Sequence, residues 1–214
     1  MAPVMDITWL GHSCFFLKGK QSTVLTDPFS PETGYSLGKT NAGIVTVSHR
    51  HPGHSYTQGV GGNPHIVDGP GEYEINNVLI IGLSTFHDKE KGSERGKNTV
   101  YLIELDEVNI CHLGDLGQKL SDAQIEELGK INILMLPVGG GSSLKAAEAA
   151  EVMRQLEPNI VIPMHYKTPA YKGELEPLDA FLKEISAHDL VPQAKLSVNR
   201  ANLPLVPQVV LLSC

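Results

Sequence analysis

Two short runs in the second half of the chain, 131–136 and 159–164, are almost wholly apolar. Strands without a polar face are covered on both sides, as in the parallel part of a layered α/β sheet. Short β-branched runs fill the first half, at 6–9, 14–18, 22–26, 44–48, 65–67, 73–75 and 78–86. Gly, Pro, Asn and Asp bound them, as they bound strands. Runs at 99–105 and 108–113 follow, and 208–212 can close a sheet. Helices gather later. Ser121-Asp-Ala-Gln124 is a capping box and Gly129 a stop signal. The stretch 143–156 is rich in Ala, Glu, Met and Leu and ends before Pro158. Pro177 suits the first turn of a third helix, whose Leu178, Phe181, Leu182 and Ile185 share one face. The polar, glycine-containing segment 88–97 reads as a mobile loop. The class is α/β (α+β). A length of 214 residues suits one domain over 1–214, with a two-sheet core.

A net charge of −7 argues against nucleic acid as the main partner, because phosphate binding calls for a basic face. Three cysteines, Cys14, Cys111 and Cys214, make neither a disulfide framework nor a Cys-x-x-Cys site, and free thiols fit a reducing compartment. The opening Met-Ala-Pro-Val-Met-Asp lacks the basic and apolar regions of a secretory signal, and no run spans a bilayer. The expectation is a cytoplasmic protein without membrane contact. Its oligomeric state is not legible.

Chemistry concentrates in Ser-His-Arg-His-Pro-Gly-His, residues 48–54. His49 and His51 are two apart and face one way on extended chain, and Pro52 keeps His51 out of helical geometry. Pro52-Gly53 favours a turn that returns His54 to the same space. Taken alone, the cluster is equally a His-rich surface turn. Three further candidates each follow an apolar run: His87, Asp115 and His165. Residues at strand ends gather at one edge of a sheet domain. Imidazole and carboxylate suit Zn, Mn or Fe, and the absence of a cysteine pair argues against a closed structural zinc.

The ordered motifs His49-Arg-His51-Pro-Gly53-His54, His87, His112-Leu-Gly-Asp115 and Pro163-Met-His165 resemble those of the metallo-β-lactamase superfamily. Trp9-Leu-Gly-His12-Ser-Cys-Phe15, Leu25-Thr-Asp27-Pro28 and Pro137-Val-Gly-Gly140 resemble its branch containing ascorbate-6-phosphate lactonase and related uncharacterised hydrolases. Gly69-Pro-Gly-Glu-Tyr-Glu-Ile75 is similar to one uncharacterised group within it. The resemblance implies a four-layer αββα sandwich. It also implies a hydrolase that uses a metal-activated water on a small ester, lactone or phosphoester. By resemblance His49, His51 and His87 form a first metal site, His54 and His165 a second, and Asp115 bridges them. Asp115 and His165 also carry catalysis, with His12 as a pocket residue that contacts substrate or merely bonds in its turn. Asp27 orients a metal-bound imidazole from behind. Zinc is expected as one or two ions, with Mn or Fe as alternatives, and no other cofactor.

Position 53 departs from the pattern: the family's second-site aspartate falls on Gly53. The second ion is then held weakly, or lost, or the chain has kept the scaffold as a catalytically degraded metal- or ligand-binding protein. With Asp115 as the sole carboxylate the site is unusually electropositive, and favours loss of an ion or an anionic small-molecule substrate. Lys89, Lys91, Arg95 and Lys97 beside His87 are either a solvated loop or a lure for such an anion. An RNA-processing nuclease of the same superfamily fits the acidic balance poorly. His112 reads as a satisfied core histidine, His65 and His188 as surface residues, and Tyr166 and Lys167 as either surface or substrate contacts. Glu72 and Glu74 fit a strand edge better than an acid catalyst.

Overall fold

The computed structural model describes residues 3–141 and 143–214. Met1 and Ala2, from the N-terminal stretch read above, lie outside the described residues. In chain order the first strands are β1 (Met5–Gly11), β2 (Cys14–Lys18), β3 (Thr23–Thr26), β4 (Ile44–Thr46), β5 (His65–Val67), β6 (Gly71–Ile75) and β7 (Val78–Phe86). Then come β8 (Lys97–Leu105), β9 (Val108–His112), α1 (Asp122–Leu128), β10 (Ile133–Pro137), α2 (Ala146–Leu156), β11 (Ile160–Met164), α3 (Leu178–Glu184), β12 (Leu196–Val198) and β13 (Gln208–Val209). One sheet has the order β12-β1-β2-β3-β4-β5, and the other β13-β11-β10-β9-β8-β7-β6.

Alternation along the strands builds the sandwich. Phe15, Leu17, Val24 and Ile44 enter the core between the sheets, while their neighbours Cys14, Leu25 and Val45 enter a second cluster with Phe29 and Tyr35. Successive side chains on a strand face opposite ways, so one strand serves both clusters. Every residue of β10 and of β11 is buried, as strands covered on both faces require. The helix α2 packs on β10 and α3 packs on α2. The layer over the six-stranded sheet differs in kind. Within segment 28–60 its helical content is two single-turn 3-10 helices, Pro31–Thr33 and Thr57–Gly59, among the described residues.

Several local expectations need correction. The helix α2 begins at Ala146, not at Ser143: Lys145 is its N-cap, with extended backbone at φ −73° and ψ 162°. Pro177 stands at the N-cap of α3, one residue before the helix. The closing strand is only Gln208–Val209. The strand β12, three residues long and missed in the sequence, pairs with β1 at the sheet edge. The segment 88–97 is organised around the Asp88 carboxylate. It accepts backbone N–H bonds from Glu90 and Gly92 at 2.8 Å, Arg95 at 2.7 Å and Glu94 at 3.2 Å.

Tyr101 of β8 ties the sheets together. Its buried hydroxyl lies 2.9 Å from Val47 O, just past the end of β4, and 3.1 Å from Val67 O, at the last residue of β5. Tyr101→Phe removes the donor facing Val47 O, while Val67 O keeps the Val47 N–H at 2.9 Å, and is expected to cost about 1–3 kcal/mol. Urea unfolding checks this: the midpoint falls while the m-value stays constant.

Topology positions the site. The strands β3 and β4 are parallel, and β1 shares their direction through two antiparallel steps. In the other sheet β9, β10 and β11 are parallel, and β7 shares their direction through β8. The C-terminal ends of β1, β3 and β4 therefore lie at one edge, and those of β7, β9 and β11 at one edge of the opposing sheet.

Candidate metal centre

Each candidate ligand leaves one of those C-terminal ends. His12 follows β1, Asp27 follows β3, and His49, His51 and His54 follow β4, while His87, Asp115 and His165 follow β7, β9 and β11. The structure brings them together. Asp115 Oδ2 lies 3.2 Å from His165 Nε2, 3.3 Å from His54 Nε2, 3.3 Å from His87 Nε2 and 4.0 Å from His49 Nε2. Three sets have their donor atoms within 4.8 Å of one another: His49, His87 and Asp115; His49, His51 and His54; His12, His54 and His165. Of the expected first-site trio, His49 shares one of these sets with His51 and another with His87. His51 is the outermost, with its Nδ1 accepting the Gly53 N–H at 3.1 Å.

The far side of several rings is anchored. Asp27, fully buried, accepts the Ser48 N–H at 2.8 Å and the Ser48 hydroxyl at 2.6 Å, and its Oδ2 lies 2.8 Å from His54 Nδ1. The Ser48 hydroxyl is also 3.0 Å from His49 Nδ1. The Ser143 hydroxyl is 3.4 Å from His165 Nδ1. Tying one ring nitrogen sets the orientation of the other. Asn98 holds the acid in place, its Oδ1 accepting the Asp115 N–H at 2.9 Å while its amide donates to Leu113 O.

Electrostatics follow from this packing. Burial alone would raise the Asp115 carboxyl, but His165 and His54 outweigh it and hold Asp115 well below the usual carboxylate range. Burial opposes charge on His54, yet Asp115 and Asp27 on either side raise its pKa to about 10. Burial, reinforced by His54, drives His49 down to about 3. Buried His12 Nδ1, His54 Nε2 and Asp115 Oδ1 have no hydrogen-bond partner. Each unpaired buried polar atom costs about 1–3 kcal/mol, so such atoms on residues of one centre call for a partner. Imidazoles with one carboxylate, and no thiol, form a donor set that fits a divalent ion.

The centre opens into a cavity of ≈ 300 Å³ whose wall includes Arg50, Arg95 and Tyr171. Of the basic loop, Arg95 reaches this wall and Lys89 pairs instead with Glu148. Sequence reasoning missed Ser48, Asn98, Ser143 and Tyr171. Ser48 adjoins the histidine cluster and could have been flagged; the others come from segments without a local signal. His112 is a satisfied core histidine, its Nε2 2.8 Å from Ser13 O. His65 and His188 are exposed, as are Glu72 and Glu74 on the edge strand β6. Tyr166 is buried against Trp9, with ring centroids 5.2 Å apart.

The family model for the β-lactamase superfamily domain matches residues 6–165, and the chain belongs to the metallo-β-lactamase superfamily. A UPF0173 metal-dependent hydrolase of Methanoculleus marisnigri is 31% identical over 199 residues, covering 80% of this chain and 86% of that protein. A UPF0173 protein of Pyrococcus furiosus is 29% identical over 205 residues, covering 85% and 90%. Among solved structures, a proposed zinc-dependent hydrolase of the superfamily from Thermotoga maritima is 40% identical with a TM-score of 0.81, covering 97% of this chain and 98% of that one. An isothiocyanate hydrolase from Delia radicum gut bacteria shares the fold at 14% identity and a TM-score of 0.69, covering 91% and 98%. Among the described residues no helix is long and apolar enough to cross a membrane.

Proposed function

We propose that the chain is a metal-dependent hydrolase that cleaves a small anionic ester, lactone or phosphoester, with zinc as its metal. The observation that carries this reading is the convergence of His49, His54, His87 and His165 on Asp115 Oδ2, with buried Asp115 Oδ1 left without a hydrogen-bond partner. An ion held there supplies Lewis acidity and lowers the pKa of a water molecule towards neutrality. Asp115 supplies the negative charge that balances the ion. Asp27 and Ser48 fix the rings of His54 and His49 against rotation. Relatives named as metal-dependent hydrolases agree with this assignment.

Anion preference follows from the charges. Asp115 is the one carboxylate in the candidate sets, while Arg50 and Arg95 stand at the cavity. Arg95 and Arg50 would bind the anionic group and so orient the reacting bond over the centre. Tyr171 stands at the cavity wall, where its phenol, pushed above its ordinary pKa by burial, is a hydrogen-bond donor for substrate.

Protein purified without chelators is expected to hydrolyse bis-(p-nitrophenyl) phosphate or a carboxylated ester, to stop on chelation, and to recover with added zinc. Stoichiometric zinc without turnover on either probe favours the rival scaffold reading that Gly53 suggests. Arg95→Gln is expected to raise KM about tenfold for the anionic probe, a loss of roughly 1.4 kcal/mol, and to leave a neutral ester unaffected. An equal KM rise for both probes would remove Arg95 from the anion site.

A further inference from the structure

The carboxylate absent at Gly53 leaves a space, and an imidazole occupies it. A Cβ built on Gly53 would lie 3.0 Å from His12 Nε2, 3.1 Å from His51 Nδ1 and 3.3 Å from His12 Cδ2. The ring is 2% exposed, and its Nδ1 has no hydrogen-bond partner. Its centroid is 4.4 Å from that of His165 and 4.8 Å from that of His54. Donor atoms of these three rings all lie within 4.8 Å of one another.

This placement is imposed by the fold. His12 has φ 53°, in the left-handed region that costs an L-residue roughly 1–2 kcal/mol. Two bonds hold it there: the His12 carbonyl accepts the Trp9 indole N–H at 3.0 Å and the His165 backbone N–H at 3.1 Å. Gly11, with φ 111°, lets the turn through, since a Cβ there would meet Tyr35 Cδ1 at 2.4 Å. Tyr171 stacks on the outer face of the His12 ring at 4.8 Å. The ring is fixed beside two other imidazoles, those of His54 and His165.

We propose that His12 is a metal ligand that replaces the carboxylate missing at position 53, so that His12, His54 and His165 hold a second ion. The inference rests on the metal-centre reading above. The chain has therefore exchanged a carboxylate from the turn after β4 for an imidazole from the turn after β1. Three imidazoles select ions of borderline softness, so this position takes zinc or iron in preference to magnesium or manganese.

The test is equilibrium dialysis of the whole protein against zinc, followed by elemental analysis and far-UV circular dichroism. Wild type is expected to hold two equivalents. His12→Phe keeps an aromatic ring against Tyr171 but removes both nitrogens, and is expected to hold one. His12→Gly, tolerant of the left-handed backbone, gives the same reading if the Phe variant does not fold. The double variant His12→Ala/Gly53→Asp, which frees the space and returns a carboxylate, is expected to regain the lost equivalent. Retention of every wild-type equivalent by His12→Phe, or by His12→Gly, overturns the inference and leaves the hydrolase reading standing. A wild type that binds no zinc overturns both.

Discussion

Asp115→Asn is expected to weaken zinc binding by more than about 100-fold and to abolish metal-dependent turnover. Changing groups that merely orient a ligand costs roughly 10–100-fold in metal affinity, so removing the charge on a ligand must cost more. The charge matters here because Asp115 Oδ2 stands within 4.0 Å of four imidazole nitrogens. Asparagine keeps the shape and removes the negative charge. Without it, two ions would bring four positive charges into a buried site lacking any ligating carboxylate. Competition with a fluorescent zinc chelator measures the affinity, and circular dichroism verifies the fold. An unchanged zinc Kd would show that Asp115 is not a ligand.

Asp27→Ala is the second large effect. The carboxylate is fully buried and serves three partners: the Ser48 N–H, the Ser48 hydroxyl and His54 Nδ1. Alanine leaves all three without an acceptor, and breaking such a buried pair costs about 3–5 kcal/mol. Zinc affinity is expected to fall roughly 10–100-fold, because the rings of His54 and His49 lose their orientation. Asp27 also has φ 39°, in the left-handed region where Asn is tolerated better than Ala. Asp27→Asn should therefore keep more of the stability while losing a similar share of zinc affinity. Chemical denaturation separates the two effects. Wild-type zinc affinity in Asp27→Asn would show that the charge on Asp27 is irrelevant to His54.

The Gly53 variant is informative in a way the sequence hid. Read along the chain, Gly53→Asp restores a family aspartate. Read in space, its new Cβ sits 3.0 Å from His12 Nε2, so carboxylate and imidazole compete for one place. This is why the double variant, not the single one, carries the restoration test.

The sequence alone determined the order of the candidate ligands and the strands other than the edge strand β12. Period-2 alternation and apolar runs are local properties, and they survive packing because each strand must bury a face whatever its neighbours. The capping box at Ser121 was legible for the same reason, since its two reciprocal bonds span only three residues. Tertiary structure alone decided which atoms meet. The pairing of His54 with Asp27, the approach of Asn98 to Asp115 and the entry of His12 into the space beside Gly53 join residues far apart in sequence. Such contacts depend on the direction in which each strand runs and the edge at which it ends, and neither is written in any short window of residues.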